Sequence, residues 1–144
     1  DQLFNSASKW KYMFGSNKSL PITIRLIIGR GWGQCPTHSQ SLQAWFAHIP
    51  GLKVVMPSTA YDAKGLLLSS IFDNNPVIFL EHRWLHNQIG IVPKKEYQIP
   101  LKKAKIVKKG NDITIISMSY MTIEALKTIN FLKKHKIFCE LMYI

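Results

Sequence analysis

Apolar positions along the chain change repeatedly between a helical and a strand period. At the amino end Leu3, Ala7, Trp10 and Phe14 are three or four residues apart, which predicts one face of a helix ending near Gly15. Runs of β-branched and other apolar residues then alternate with helical patterns. They predict strands near 22–26, 53–56 and 77–80 and helices near 40–48 and 60–72. This alternation indicates an α/β fold with a parallel sheet.

The helix predicted over 60–72 has a start signal of its own. Thr59 stands where an N-cap residue is expected, and Asp62 follows three positions later. A hydroxyl and a carboxylate at that spacing are typical of a capping box. We therefore expect the helix to begin directly after Thr59.

The pattern becomes polar after residue 93. The stretch "PKKEYQIPLKKAK" contains two prolines and predicts a linker over 94–103, between a first domain over 1–93 and a second over 104–144. The second domain is predicted to open with two strands around a turn at Gly110 and Asn111. An amphipathic helix over 121–136 and a last strand over 137–144 complete it.

Charge is the most unusual feature of the composition. The net charge is +11, and eleven lysines lie between Lys94 and Lys136 against three carboxylates. A basic face of this kind attracts nucleic acid, anionic lipid or an acidic protein. The chain has only three arginines, however, whereas phosphate clamping and base readout favour the arginine fork. We therefore expect a solvated lysine face, and keep a basic, non-catalytic binding module as an alternative.

The two cysteines and the lack of long apolar runs indicate the cellular compartment in which the protein is expected. Cys35 and Cys139 are far apart in sequence and have no metal-ligand spacing, which favours free thiols in a reducing compartment. No apolar run is long enough to cross a bilayer. We expect a protein of the cytoplasm or the mitochondrial matrix that is not secreted.

The loop "GRGWGQCPTHSQS", residues 29–41, is the best candidate for a site. It joins a predicted strand to a predicted helix, and ligands of parallel α/β sheets bind beyond the carboxyl ends of the strands. It matches neither the phosphate-binding GxxxxGK[ST] pattern nor GxGxxG, and no GxSxG hydrolase motif is present. His82 and His86 have an i, i+4 spacing, but they follow a strand, so a metal site is disfavoured. His38 remains the candidate for chemistry, with capping of the next helix as its alternative role.

A longer stretch carries a resemblance to a known family. The run "HSQSLQAWFAHIPGLKVVMPSTAYDAKGLL" resembles the β subunit of the thiamine-diphosphate-dependent decarboxylating component of 2-oxo acid dehydrogenase complexes, in particular the pyruvate and branched-chain members. The likeness continues through "KAKIVKKGNDITIIS". It implies the later part of a transketolase-like pyrimidine-binding domain, followed by the start of a transketolase C-terminal-type α/β domain.

The resemblance also implies an activity and a set of partners. The activity is thiamine-dependent oxidative decarboxylation of a 2-oxo acid, with pyruvate as the first expectation, and acyl transfer to lipoyl groups. The partners are an α subunit in an α₂β₂ heterotetramer, which holds most of the diphosphate and Mg²⁺, and a dihydrolipoyl acyltransferase core. Another transketolase-like thiamine enzyme is the alternative within the same class. Neither nucleic acid nor membrane is an expected partner.

Two groups of site residues follow from the resemblance. His38 corresponds to a histidine at the mouth of the active site, where it orients or protonates the substrate-derived intermediate. A structural K⁺ ion is bound by relatives mainly through main-chain carbonyl oxygens. The corresponding positions here are Ile22, Ser70, Ile71, Asp73 and Asn75.

Other parts of the family pattern are expected outside the sequence. The glutamate that binds the aminopyrimidine ring of thiamine diphosphate, and the aromatic residues that stack on it, correspond to positions before residue 1. Relatives also continue beyond residue 144. We therefore expect an internal fragment that is inactive alone, with apolar surface exposed around Trp10, Trp45, Phe46 and the segment "FCELMYI".

Overall fold

The computed structural model describes residues 1–15, 17–29 and 34–144. Two three-stranded sheets lie in the chain, one formed before residue 83 and one after residue 104. The helices are a π-helical turn Gln2–Ala7, α1 Trp10–Met13, α2 Gln43–His48, α3 Ala60–Ile71 and α4 Met121–Lys134. The strands are β1 Thr23–Ile28, β2 Lys53–Val55, β3 Val77–His82, β4 Lys105–Lys108, β5 Ile113–Ser117 and β6 Cys139–Tyr143. Short 3₁₀ turns occur at Pro36–His38 and Arg83–Leu85.

The first sheet is parallel and has the order β1-β3-β2. Its central strand is apolar on both faces, and Val77, Ile78, Phe79 and Leu80 are completely buried. A parallel strand covered on both faces requires such a continuous apolar run. The predicted parallel sheet and its three strands are therefore confirmed, as is the α/β fold class.

The two faces of this sheet are covered by different helices. On one face Phe46 of α2 packs with Ile78 and Leu80, and Leu3 and Phe4 from the amino-terminal turn join them. On the other face Leu66 and Leu67 of α3 pack against Val55, Val77 and Phe79. The expectation that Phe46 would be exposed is wrong, because its side chain fills the core beneath α2 and is only 8% exposed. Trp45, the preceding residue, does point outward.

The amino-terminal helix is interrupted. Gln2–Ala7 forms a π-helical turn, and α1 resumes at Trp10 for a single turn before Gly15, whose φ is +67°. The buried Ser8 lies at the break, and its hydroxyl donates to the Phe4 carbonyl at 2.6 Å. The predicted end of this segment is confirmed by the left-handed glycine. Its continuous helical period is not, since the π turn shifts the register.

The start of α3 agrees with the predicted cap. The Asp62 amide donates to Thr59 Oγ1 at 3.1 Å, and the Thr59 hydroxyl donates to Asp62 Oδ2 at 2.7 Å. The hydroxyl and the carboxylate thus satisfy each other at the first turn. This local signal was fully readable in the sequence.

The segment between the two sheets is fixed to α3. Lys64 Nζ donates to the main-chain carbonyls of residues 93, 94 and 95 at 2.6, 3.2 and 3.1 Å. The Tyr97 ring stacks on Tyr61 with a centroid distance of 4.5 Å. Gly65 makes this approach possible, since a Cβ there would lie 2.6 Å from the Tyr97 ring. The predicted division into 1–93, 94–103 and 104–144 remains a prediction.

The second sheet is mixed and has the order β4-β6-β5. Strand β4 is antiparallel to β6, whereas β5 is parallel to it. The two strands expected around Gly110 are present, but they do not pair with each other because β6 lies between them. Gly110 passes closely over the start of β6, where a Cβ would lie 2.2 Å from the Cys139 carbonyl carbon. Helix α4 covers one face of the sheet through Ala125 and Ile129.

A polar cluster, buried at Asp62 and Tyr143, joins the two halves. Asp62, at the start of α3, is 1% exposed, and its Oδ2 accepts a 2.6 Å hydrogen bond from the Tyr143 hydroxyl on β6. Lys105 Nζ, on β4, lies 3.8 Å from Asp62 Oδ1 and 5.3 Å from the centroid of Tyr61. We call Tyr61, Asp62, Lys105 and Tyr143 the interface cluster. Burial, together with the bond to Asp62, raises the pKa of Tyr143, which keeps its hydroxyl protonated as a donor.

Candidate functional site

The candidate site lies at the carboxyl ends of β1 and β3. Gly29 directly follows β1 with a φ of +84°, and its amide donates to the Gln40 carbonyl at 2.9 Å. The loop therefore leaves the sheet at residue 29 and returns to the same point at residue 40. Residues 30–33, including Trp32 and two of the loop glycines, lie outside the described residues. The rest of the loop is at the edge of the sheet where the sequence placed it.

His38 ends the 3₁₀ turn that begins at Pro36, and its side chain is exposed. It lines a cavity of about 240 Å³ that also contacts the end of β1 and the start of α2. Helix α2 begins after Leu42 without a side-chain cap, so His38 does not have the capping role that was its alternative. The structure therefore places His38 in the wall of this cavity.

Two neighbours of His38 complete the described part of the loop. Cys35 has a φ of +58°, which is unusual for a residue with a side chain. Its Sγ lies 3.1 Å from Thr37 Oγ1. That contact, with the Thr37 and His38 main chain, lowers the pKa of the Cys35 thiol. Cys35 and Cys139 are both free.

His82, at the last position of β3, also lies at this edge of the sheet, although the sequence did not indicate that it packs there. A Cβ at Gly29 would lie 2.4 Å from His82 Nε2, so the imidazole rests directly on the glycine. Its Nδ1 accepts from the Trp84 amide at 3.2 Å, and its ring stacks on Tyr120 with a centroid distance of 5.0 Å. Burial, and then the charge of His86, lowers the pKa of His82. The sequence showed only its spacing from His86.

Metal ligation by these side chains has no support in the part of the chain that the structure describes. Within it, no group of three or more His, Cys, Asp or Glu side chains is placed to hold a metal ion. The carbonyl-rich positions predicted for a cation lie elsewhere, at the opposite edge of the sheet.

Two of those five positions, Ile22 and Ser70, lie in segments that contact each other near the amino end of β1. Thr23 Oγ1 donates to the Ser70 carbonyl at 2.9 Å, and the Val77 amide donates to the Ile22 carbonyl at 2.8 Å. The start of β1, the end of α3 and the turn before β3 are thus in direct contact. The remaining predicted positions, Ile71, Asp73 and Asn75, lie in the same short stretch of chain.

The carboxylate of Asp73 is already engaged in this turn. Its Oδ1 accepts from the Asn75 amide at 2.8 Å and from Asn75 Nδ2 at 3.0 Å, and its Oδ2 pairs with Lys53 Nζ. Partial burial opposes ionisation, but the bonds from Lys53 and Asn75 outweigh it and lower the pKa of Asp73. The Asp73 side chain is thus engaged within the turn, and the carbonyl oxygens of Ile22 and Ser70 also accept hydrogen bonds from neighbouring segments.

A larger groove of about 900 Å³ lies between β2, the segment after residue 98 and the end of β6. Its walls are mainly apolar and include Val54, Met56, Leu66 and Leu101. Among the described residues, its lining includes no histidine and none of the loop residues 29 and 34–41. Size alone does not make it the reaction site. The smaller cavity is the one that His38 lines, at the carboxyl edge of the first sheet.

Residues 2–88 match the family described as "Transketolase, pyrimidine binding domain". The chain belongs to this family. The match spans the first sheet and both of its helical layers, so the pyrimidine-binding domain is the part that carries His38 and the turn at residues 70–75.

Relatives with described functions match along nearly the whole chain. The beta subunit of acetoin:2,6-dichlorophenolindophenol oxidoreductase from Cupriavidus necator is 46% identical over 142 residues, which are 99% of this chain and 42% of the relative. The pyruvate dehydrogenase E1 component subunit beta from Porphyra purpurea is 50% identical over 121 residues, which are 84% of this chain and 37% of the relative. The chain thus spans about two fifths of the length of these proteins.

Solved structures show the same fold. A split-gene transketolase, described as an inactive beta4 tetramer, superposes with a TM-score of 0.71 at 18% identity and covers 99% of this chain and 46% of its own. A transketolase mutant from Pichia stipitis gives a TM-score of 0.66 over 94% of this chain and 21% of its own, also at 18% identity. Within the part of the chain that the structure describes, no helix is long and apolar enough to cross a bilayer.

The described residues do not by themselves fit a thiamine pyrimidine. No carboxylate lines the cavity beside His38. Glu81, the carboxylate of β3, is held by Arg25 through two 3.0 Å hydrogen bonds. The position of the glutamate expected to bind the ring remains a prediction.

Proposed function

We propose that this chain contributes the His38 loop to the active site of a thiamine-diphosphate-dependent 2-oxo acid dehydrogenase, as part of its β subunit. Pyruvate is the first candidate substrate, because pyruvate dehydrogenase subunits are among the relatives. The observation that carries the proposal is the place of His38, on a cavity at the carboxyl edge of the pyrimidine-binding sheet. The cofactor supplies carbanion stabilisation when bound.

The chemistry assigned to His38 is proton transfer and orientation. An imidazole changes charge near neutral pH, so it can hold or give up a proton to a reacting oxygen. The side chain is exposed in the cavity wall, which gives a substrate direct access to it. The loop is tied back to the sheet by the Gly29–Gln40 hydrogen bond, which limits how far His38 moves.

The proposed assembly has further components. An α subunit would complete the site in an α₂β₂ heterotetramer and hold the diphosphate through Mg²⁺, and an acyltransferase core would accept the acyl group. Such a complex would work in a bacterial cytoplasm or a mitochondrial matrix. The β-subunit relatives support the α-subunit partner, since a subunit named beta implies a companion.

A structural K⁺ ion is part of the proposal. The carbonyl oxygens of Ile22, Ser70, Ile71, Asp73 and Asn75 lie on segments that contact one another, and such oxygens suit a hard cation. We expect KCl to raise the thermal midpoint relative to choline chloride at equal ionic strength, because a ligand of the native state stabilises it. Equal midpoints in the two salts would remove the ion from the proposal.

Acetoin cleavage is the second candidate function. The acetoin oxidoreductase subunits match 99% of this chain at 44–46% identity, and the pyruvate dehydrogenase subunit from Rickettsia conorii matches 99% at 42% identity. Both reactions would use the same cofactor and the same loop, so the family alone does not choose between them.

The decisive experiment assembles a full-length β subunit containing this segment with its α subunit. Reduction of 2,6-dichlorophenolindophenol is measured with pyruvate, branched-chain 2-oxo acids and acetoin, with and without thiamine diphosphate. We expect thiamine-dependent reduction with pyruvate. Absence of thiamine-dependent activity with every substrate would refute the proposal, and salt-sensitive nucleic-acid binding would then favour the basic binding module.

The isolated chain provides a second arm of this experiment. It should bind thiamine diphosphate negligibly in calorimetry, because no carboxylate reaches the His38 cavity. Tight binding by the isolated chain would show that the pyrimidine is held in another way.

A further inference from the structure

We propose that Arg83 binds the carboxylate of the substrate in the His38 cavity, so that this site selects an anionic 2-oxo acid over neutral acetoin. The inference rests on the proposed thiamine-dependent function and adds the residue that determines its substrate class. Arg83 has no role in the function argued above.

The described residues that line the cavity include a positively charged side chain and no negatively charged one. Nine described residues from four segments form its wall: Leu26, Ile27, Ile28, Thr37, His38, Gln40, Leu42, Phe46 and Arg83. Arg83 is the lining residue with a permanent charge, and the set includes no Asp or Glu. The wall also includes the polar side chains of Thr37, His38 and Gln40, so the preference for an anion comes from the guanidinium itself, through charge-assisted hydrogen bonds.

The volume favours a small ligand. About 240 Å³ is below the roughly 300–1,000 Å³ of pockets for drug-sized molecules. A 2-oxo acid with a short side chain has only a few non-hydrogen atoms and suits this space. Its carboxylate would meet Arg83 and its keto oxygen would face His38, while the apolar end would lie against the aliphatic part of the wall.

Arg83 is held in place by its surroundings. It begins the 3₁₀ turn Arg83–Leu85 directly after β3, and the His86 amide donates to its carbonyl at 3.2 Å. Its Nη1 donates to Gln34 Oε1 at 2.9 Å, which ties the guanidinium to the loop that carries His38. A guanidinium presents five N–H donors in a planar fork, a geometry that matches a carboxylate. A positioned fork of this kind binds carboxylates in a bidentate manner more tightly than a lysine does.

The kinetic consequence has a definite form. The negative charge of the carboxylate disappears as carbon dioxide leaves, so the contact with Arg83 is strongest before the reaction. An interaction of the ground state lowers KM and does not raise kcat. Arg83 should therefore affect KM for a 2-oxo acid much more than kcat, and should not affect acetoin, which has no carboxylate.

The test uses Arg83→Met and Arg83→Lys in the assembled β and α subunits with thiamine diphosphate. We expect Arg83→Met to raise KM for pyruvate by roughly 10- to 100-fold with kcat changed less than about threefold, and Arg83→Lys to give an intermediate KM. Kinetics with acetoin should not change in either variant. Arg25→Met, which removes an arginine that pairs with Glu81 and does not line the cavity, is the matched control and should keep the wild-type KM.

The possible results distinguish failure of the role of Arg83 from failure of the proposed thiamine-dependent function. An unchanged KM for pyruvate in both variants, or an equal loss with pyruvate and acetoin, would overturn the role of Arg83. Thiamine-dependent activity of the wild type with acetoin alone would also overturn it and leave the thiamine-dependent function standing. Activity with neither substrate would refute the proposed function itself. If Arg83→Met lowers the thermal midpoint enough to prevent assembly, Arg83→Lys alone decides, because its KM for pyruvate must rise.

Discussion

His38 and His82 lie at the same edge of the sheet, but their environments give them different properties. The His38 side chain is exposed on a short turn, whereas the His82 ring is packed between Gly29, Trp84 and Tyr120. An accessible imidazole can exchange protons with a substrate. A packed one contributes to stability and is sensitive to pH.

For His38 the expectation is catalytic. In the assembled enzyme, His38→Ala should lower kcat by about 10²-fold or more, because a general acid or base contributes roughly 10²- to 10⁴-fold. His48→Ala, which removes an exposed histidine at the end of α2, is the control and should retain activity. Turnover by His38→Ala close to that of the wild type would leave His38 a structural role only.

For His82 the expectation concerns stability. Its pKa lies below the ordinary value of 6.5 in the folded protein, so the unfolded chain binds the proton first as pH falls. The contribution of His82 is therefore complete above about pH 6.5 and is lost as pH decreases below that value. The urea midpoint should fall between about pH 7.5 and pH 5.5, and His82→Gln should reduce this pH dependence.

The exposed His135 provides the matched control for that measurement. His135→Gln should retain the pH dependence of the wild type. If His82→Gln and the wild type lose stability equally on acidification, His82 is not the group responsible.

The sequence predicts residue properties that depend on near neighbours and misses those that depend on distant ones. The Thr59–Asp62 cap was predictable because both partners lie within one helical turn. The importance of His82 was not, because it depends on Gly29 and Tyr120, more than thirty residues away in each direction. A histidine next to a strand end looks the same in a sequence whether it is packed or free.

At the scale of elements, the exit of the chain from β1 requires a glycine. Gly29→Ala combines a φ of +84° with a Cβ only 2.4 Å from His82 Nε2, so two costs add. Gly15→Ala is the matched control, because Gly15 has a φ of +67° and no atom within 4 Å of a Cβ. We expect the control to lose about 1 kcal/mol of unfolding free energy and Gly29→Ala distinctly more.

Urea unfolding of both variants checks this prediction. Equal losses would mean that His82 moves aside at no cost and that only backbone strain remains. A larger loss in Gly15→Ala would contradict the packing described here.

Strand positions were predictable, but strand neighbours were predictable only in part. The continuous apolar run over 77–80 predicted a buried strand, and β3 is the centre of its sheet. In the second sheet the turn at Gly110 suggested neighbours, yet β6 separates β4 from β5. Periodicity shows which face of a strand is buried; the order of strands depends on contacts between residues distant in sequence.

At the scale of the whole molecule, we expect the interface cluster to couple the unfolding of the two sheets. Asp62, at the start of α3, and Tyr143, on β6, are both buried and lie on opposite sides of the linking segment. The single substitutions Asp62→Ala and Tyr143→Phe should each lower the unfolding free energy by about 1–3 kcal/mol, because each leaves a buried polar group without its partner. The double variant should show coupling of about 0.5–3 kcal/mol.

Tyr97→Phe is the control for this cycle. It removes a 2.7 Å hydrogen bond to the Tyr61 carbonyl at an exposed position and should change stability much less. Additive effects of Asp62→Ala and Tyr143→Phe would show that the hydrogen bond between α3 and β6 does not contribute to stability.

Both sheets place their last strand in sequence at the centre. Strand β3 follows β1 and β2 and joins them, and β6 follows β4 and β5 and joins them. During synthesis on a ribosome, β1 and β2 are therefore not joined to each other until β3 has emerged from the exit tunnel, and the same holds for β4 and β5 until β6 emerges. A nascent chain paused near residue 75 or near residue 137 would hold two strands that lack the strand between them, and at those stages an exposed strand edge favours aggregation and the binding of a chaperone.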